Sequence, residues 1–344
     1  MITWVMTDDH PTPDHLIEIG FGFQASKTLL SAVTLGVFDA LSDTPQTKEQ
    51  LEDVLGLHQR SSADFFDALV ALGVLNREDG VYRNTPEAEA FLVSGKPSYI
   101  GGMFEMANDR LYPFWSDLEE GLKTGQPTNE LEDEYSHPFE AIYETDDRLE
   151  QFVGAMTGMS MGVANVLAHE FPWQEYETVL DLGTSEGIVP KRIAEENDHI
   201  RAIGVDLPRV EPHFQELTGE SPGADRIEFR SGDFFGEEPL PDADVYVLGH
   251  ILHDWSLDER QQILDKVAAG VNDGGAVIVY GTMIDKDRRE NEMGLLMSLN
   301  MLVESPNGFD YTHSECIEWL REAGFTDPRI EQLPGPESMV VANR

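Results

Sequence analysis

Val179-Leu180-Asp181-Leu182-Gly183-Thr184-Ser185-Glu186-Gly187 is the stretch from which the fold can be read. Its apolar half reads as a buried strand, Thr178 to Leu182, and its glycines as a tight turn into a helix. Asp206 closes a second strand, Arg201 to Asp206, nineteen residues after Gly187. Working outward, Ile227 to Arg230, Asp244 to Leu248 and Ala276 to Tyr280 read as further strands that alternate with helices. That alternation predicts an α/β domain with a doubly wound, largely parallel sheet. Two capping boxes, Ser256-Leu257-Asp258-Glu259 and Thr312-His313-Ser314-Glu315, mark helix starts inside it, because each side chain satisfies free backbone N–H groups of the first turn. Arg329 to Arg344 reads as two strands around Leu333-Pro334-Gly335-Pro336, so the seven-stranded sheet is expected to end in an antiparallel hairpin.

Upstream, apolar residues recur at helical spacing from Phe21 to Ala40, and Thr47 to Leu55 and Ala63 to Leu72 read as two shorter helices. A hairpin over Asn76 to Asn84, turning at Asp79-Gly80, completes a winged-helix pattern that is all-helical apart from that wing. Asp64 and Asp67 stand on its third helix, with one base, Arg60, at the entrance, so an interaction module fits better than a DNA reader. Residues 100 to 170 read as helical, their methionines (Met103, Met106, Met156, Met159, Met161) as core. The expected division is therefore 15–100 winged helix, 101–172 helical connector contributing to the active site, and 173–344 ligand-binding sheet domain.

In 344 residues, 65 acids face 23 bases, a net charge of −42 spread over the whole length. No nucleic acid is expected as a partner, since phosphate binding needs a basic face. Self-repulsion of this size is tolerable where salt screens it, so the surface reads as salt-adapted. No run of about 18 apolar residues is present, and Met1 to Pro13 carries acids rather than a basic leader, so no membrane association and a cytoplasmic location are expected. The one cysteine, Cys316, reads as half-buried on a helix.

In a doubly wound sheet the Gly183 turn and Asp206 lie side by side at the carboxyl ends of adjacent strands, where ligands bind. Asp206 can accept both hydroxyls of a ribose. A dinucleotide turn would need glycines where Ser185 and Ile188 stand. The third strand runs into Ser231-Gly232-Asp233-Phe234-Phe235, which offers a carboxylate to an adenine amino group and a ring to its face. Three strand ends thus describe one nucleoside. Together with Val247-Leu248-Gly249-His250-Ile251-Leu252-His253-Asp254-Trp255, Ile284-Asp285-Lys286-Asp287-Arg288-Arg289 and Ser298-Leu299-Asn300-Met301-Leu302-Val303, this constellation resembles the class I methyltransferases, specifically the hydroxyindole (acetylserotonin) and caffeic acid O-methyltransferase family, over residues 20 to 344. With its acidic surface the chain resembles a haloarchaeal-type member of that family.

The resemblance implies a Rossmann-like domain that binds S-adenosyl-L-methionine, a winged-helix module that forms a homodimer, and methyl transfer (EC 2.1.1.-) to a hydroxyl of a small aromatic or polyketide-like acceptor. It implies cofactor contacts from Tyr143, Gly183, Asp206, Gly232, Asp233, Phe234 and His250, and His253 as general base. An unperturbed imidazole near pKa 6.5 can take a phenol's proton as the oxygen attacks. The two acids that flank this histidine in plant members fall at Gly281 and Asp310, so only Asp310 remains to orient it; Asp254 reads as a helix-start residue. Asn300 and Glu304, one helical turn apart, fall where hydroxyindole enzymes contact the acceptor. The middle glycine of the family's turn is Ser185. No H-x-x-x-H or H-E-x-x-H spacing occurs, and no metal is inferred. Two rival readings remain: a relative that binds the cofactor without transferring its methyl, hydroxylase-like or non-catalytic, and a winged-helix regulator.

Overall fold

Strand β4, Thr178–Leu182, forms the middle of the sheet because Val179 on one face and Leu180 and Leu182 on the other are apolar and buried. Leu180 and Leu182 pack on one side with Ile263, Leu264 and Val267 of the helix Leu257–Gly270 and with Cys316 and Leu320 of the helix His313–Glu322. Val179 packs on the other side with Val163 and Leu167 of the helix Asp146–Glu170 and Ile193 of the helix Ile188–Glu196. In this computed structural model, which describes residues 11–129, 139 and 142–344, the chain divides into two compact units, Met1–Asn108 and Asp109–Arg344. Residues 1–10, read above for a leader, and Glu140 and Ala141 beside Tyr143 lie outside the described residues.

The second unit carries a seven-stranded sheet in the order β6-β5-β4-β7-β8-β10-β9. Its other strands are β5 Arg201–Asp206, β6 Ile227–Ser231, β7 Ala243–Gly249, β8 Val271–Gly281, β9 Thr326–Gln332 and β10 Ser338–Asn343. The pairs β4–β5, β5–β6, β4–β7 and β7–β8 are parallel, while β10 runs antiparallel to both β8 and β9. The chain builds outward from β4 through β5 to β6 and then restarts on the other side at β7. The crevice above β4 and β7 is therefore the topological switch point where such sheets bind ligands. Both capping boxes form.

In the first unit the expected helix Phe21 to Ala40 is two helices, Asp14–Thr34 and Val37–Ser42, broken at Gly36 (φ 72°) in the left-handed conformation that ends helices. The helices Lys48–Leu55 and Ser62–Ala71 and the hairpin of β2 (Leu75–Glu78) and β3 (Val81–Asn84) follow the sequence reading. Asp79 and Gly80 both have positive φ, as a two-residue hairpin turn of the right twist requires. Sequence reading missed β1, Gln46–Thr47, which pairs with β3 and makes the wing three-stranded. At two residues it is too short to carry a periodic signal. Phe38, Phe66, Leu69 and Tyr82 close the core. Cys316 is fully buried, not half-buried, while of the methionines named above only Met106 is buried.

Candidate active site

At the end of β4 the backbone turns through Gly183, Ser185 and Gly187, all left-handed, with φ of 73°, 53° and 84°. The amides of Gly183 and Thr184 both donate to the Val205 carbonyl on β5, at 2.8 and 3.1 Å. A side chain at Gly183 would run into Ile251. Asp206, buried at the end of β5, accepts the Ser185 N–H (2.9 Å) on one oxygen and the Leu207 N–H (2.7 Å) on the other. The Tyr143 hydroxyl adds a third hydrogen bond. Burial pushes the Asp206 carboxyl up to about 6 against these donors. Ser185 thus keeps the glycine-like turn and lends its amide to the acid that the nucleoside reading requires.

The end of β6 joins this edge through the Gly232 N–H, which donates to the Asp206 carbonyl at 2.9 Å. Asp233 is exposed and accepts the Phe235 N–H at 2.8 Å, which fixes the turn that presents Phe234. The Phe234 ring meets Trp255 edge-on (5.8 Å, 87°), and Trp255 also touches Phe139. The structure therefore brings Tyr143, Gly183, Asp206, Gly232, Asp233 and Phe234 to one sheet edge, with Trp255 as an aromatic wall.

At the end of β7, His250 (φ 55°) and His253 lie with ring centres 5.7 Å apart. His253 is buried, and its Nδ1–H donates to Asp310 Oδ1 at 3.3 Å, so Nε2 is the nitrogen left to take a proton. Asp254 lies 3.8 Å from that Nε2. Burial alone would lower the His253 pKa, but the Asp254 and Asp310 carboxylates outweigh it and lift it to about 9. The imidazole is thus not the unperturbed one expected from sequence, and Asp254 is an electrostatic partner of His253. Burial raises its own carboxyl to about 6.

Asn300, buried on the helix Glu292–Glu304, accepts the Trp115 indole N–H at 2.8 Å, which uses one lone pair of its carbonyl oxygen. Half-buried Glu304 lies one turn on, and its backbone carbonyl accepts the Asn129 amide at 2.5 Å. The helix is tied to the His253 region by Ser305 Oγ, which donates to the Asp254 carbonyl (3.0 Å), and by Ser298 Oγ, which accepts the Asp310 N–H (3.2 Å).

Two residues escaped the sequence reading. Arg260 is buried at 1% exposure and donates to the carbonyls of Trp255 (2.8 Å) and Phe309 (2.5 Å), stacking on the Phe309 ring at 3.8 Å. It clasps the chain on both sides of the His253–Asp310 pair. A signal was available, because Arg260 shares the helix face of Ile263, Leu264 and Val267, where a lone base is out of place. Glu337, whose carboxylate meets His250, had no such signal.

Residues 115–326 match the O-methyltransferase domain, and residues 17–94 the O-methyltransferase dimerisation domain. The chain belongs to the O-methyltransferase family. It is 39% identical to the tetracenomycin polyketide synthesis 8-O-methyl transferase TcmO of Streptomyces glaucescens over 96% of this chain and 97% of that protein. It is 34% identical to the N,N-dimethyltransferase OxyT of Streptomyces rimosus over 92% of each. Among solved structures, human N-acetylserotonin methyltransferase in complex with SAM superimposes with a TM-score of 0.88 at 26% identity, covering 98% of this chain and 99% of that one. As a member of this family the chain is an S-adenosylmethionine-dependent O-methyltransferase. Its own residues fit that cofactor: a buried acid at a glycine turn, an aromatic ring at the next strand end, and a buried imidazole nitrogen, His250 Nδ1, with no hydrogen-bond partner among the described residues.

Proposed function

We propose that the chain methylates a phenolic hydroxyl of a small aromatic, polyketide-like acceptor, with His253 as general base and Asp310 as its orienting acid. The observation that carries this reading is the buried His253, held through Nδ1 by Asp310 with Nε2 turned away from that bond, at the strand end beside the Gly183–Asp206 cradle. When bound, the cofactor supplies an activated methyl on a sulfonium, so the protein's work is to align the acceptor oxygen and remove its proton. His253 Nε2 takes that proton, and the paired carboxylates hold the resulting imidazolium. A base lifted to about 9 lies close to the phenol range near 10, which favours transfer once the imidazole is neutral.

Tyr143, Gly183, Asp206, Gly232, Asp233, Phe234 and His250 would hold the cofactor; Asn300 and Glu304 would face the acceptor. The same reading assigns dimerisation to residues 15–100, a connecting role to 101–172 and cofactor binding to 173–344. A homodimer is supported by the matched dimerisation domain and by Leu16, Ile17, Ile19, Phe21 and Phe23, all more than half exposed on the helix Asp14–Thr34. The acid excess of 65 over 23 bases supports a salt-adapted, haloarchaeal-type protein of the cytoplasm. No helix among the described residues is long and apolar enough to cross a membrane.

A second reading, cofactor binding without methyl transfer, is favoured by Gly281, where the acid of plant members is lost and a Cβ would meet His250 Nδ1 at 3.7 Å. Calorimetric titration with S-adenosylmethionine and S-adenosylhomocysteine in molar potassium chloride, repeated on Asp206→Ala, tests the cofactor site. Phenol and arylamine acceptors are then screened against His253→Ala. Methyl transfer lost in that variant supports the base, whereas cofactor binding with no methylated product from any acceptor favours the second reading.

A further inference from the structure

Glu337, in the turn before β10, sends its carboxylate to His250, with Oε1 3.2 Å from Nε2. The side chains are 6% (His250) and 12% (Glu337) exposed. A carboxylate only accepts, so in the neutral imidazole Nε2 carries the proton and Nδ1 keeps a lone pair. That Nδ1 is buried, without a hydrogen-bond partner among the described residues, and it looks onto the room left by Gly281, 3.7 Å from where a Cβ would stand. The Tyr280 ring packs edge-on against the imidazole (5.4 Å, 88°) and narrows the choice of its orientation. His250 also holds a left-handed backbone at φ 55°, a strain that surrounding contacts must sustain.

The strand order says what this lone pair faces. On the proposed reading adenine would lie at the end of β6 and ribose at Asp206 on β5, so a nucleoside laid across β6, β5 and β4 would point its remaining substituent toward β7, where His250 stands. In S-adenosylmethionine that substituent is the amino-acid end, whose ammonium is the hydrogen-bond donor left unassigned. We propose that Glu337 is a positioning residue: it locks His250 in the Nε2–H tautomer so that Nδ1 accepts a hydrogen bond from the methionyl ammonium. The carboxylate behind the imidazole also stabilises that cation in a site shielded from water. Glu337 thereby stands one register position before Ser338, the β10 partner of Gly281, and brings a carboxylate back to the region where the acid of plant members is missing. This inference rests on the proposed function, since it presumes that the nucleoside lies across these strand ends.

The test uses the full chain in molar potassium chloride and two probes: S-adenosylhomocysteine, which has the ammonium, and 5′-methylthioadenosine, which lacks the amino-acid end. Glu337→Ala is expected to weaken the first about tenfold, the loss of one hydrogen bond to a charged group, and to leave the second within about twofold. Glu337→Gln, whose amide oxygen still accepts from Nε2–H, should bind S-adenosylhomocysteine within about threefold of the parent. ¹⁵N-histidine spectra of the unliganded protein, with His250 assigned through His250→Asn, should show the Nε2–H tautomer in the parent and a mixture in Glu337→Ala. Equal loss of both probes, undiminished S-adenosylhomocysteine binding, or an unchanged His250 tautomer would overturn the proposal. If the parent bound neither probe the proposed function would fall, while the tautomer would still report on the Glu337–His250 pair.

Discussion

At the scale of single residues, the site is decided by how burial and neighbouring charge set protonation. As the proposed base His253 must be neutral at Nε2, so with its pKa lifted to about 9 the rate should climb with pH through that value. Asp310→Asn removes one of the two carboxylates that raise it, and the climb should move to lower pH by about one unit or more. Release of S-adenosylhomocysteine, followed from pH 6 to 10 in molar potassium chloride, checks this; a climb that stays put would assign it to another group. Ser185 offers a second test. Its left-handed φ of 53° strains a residue with a Cβ, and the bond from its hydroxyl to the Val153 carbonyl is long at 3.3 Å. Ser185→Gly should raise stability by up to about 1 kcal/mol, because the amide that Asp206 accepts remains. Chemical denaturation reads this, and a clear loss of stability would show that the hydroxyl matters more than the strain. The types and order of these residues, and with them the cradle, were legible in the sequence. Their protonation was not, because it depends on depth, and the pairing of Asp254 with His253 Nε2 depends on a turn with no sequence signature.

At the scale of elements, strands and capped helices were legible where one local rule decides: apolar runs in β4, β5, β7 and β8, and Ser256 and Thr312 three residues before a glutamate. The break at Gly36 and the two-residue β1 were not, since the first interrupts an unbroken apolar period and the second exists only through its partner strand. Arg260 shows how an element is joined to the site. It sits inside the helix Leu257–Gly270 yet holds the carbonyls of Trp255 and Phe309, flanking His253 and Asp310. The Phe309 N–H donates to the His253 carbonyl at 2.8 Å, so the two segments move as one. Arg260→Met would leave these carbonyls without their donor in a buried place and should lower unfolding stability by about 3 kcal/mol or more. Arg260→Lys keeps the charge without the planar fork and should lose about half as much. Urea unfolding in molar salt measures both. If Arg260→Met were as stable as the parent, the clasp would not hold these segments together.

At the scale of the whole molecule, charge outweighs any single contact. With 65 acids and 23 bases, pairing every base once still leaves 42 carboxylates without a cation of their own. Many of the pairs that do form are surface pairs such as Arg77–Asp67 and Arg329–Glu331, each contributing on the order of 0.5 kcal/mol. The balance of surface electrostatics is therefore repulsive, and the ionic strength governs it: charges feel one another over about 10 Å at 0.1 M salt but only about 3 Å at 1 M. Lowering potassium chloride from 3 M to 0.1 M should thus reduce the melting temperature by at least about 5 °C, a stability change of roughly 3–4 kcal/mol for a protein of this size. Screening follows ionic strength, so sodium chloride at equal strength should restore the melting temperature as well as potassium chloride does. Exclusion of strongly hydrated salts from apolar surface predicts instead that sulfate protects far better than chloride at equal ionic strength. Differential scanning calorimetry across the three salts separates the two. A melting temperature indifferent to salt would mean that the acidic surface is carried without adaptation to it.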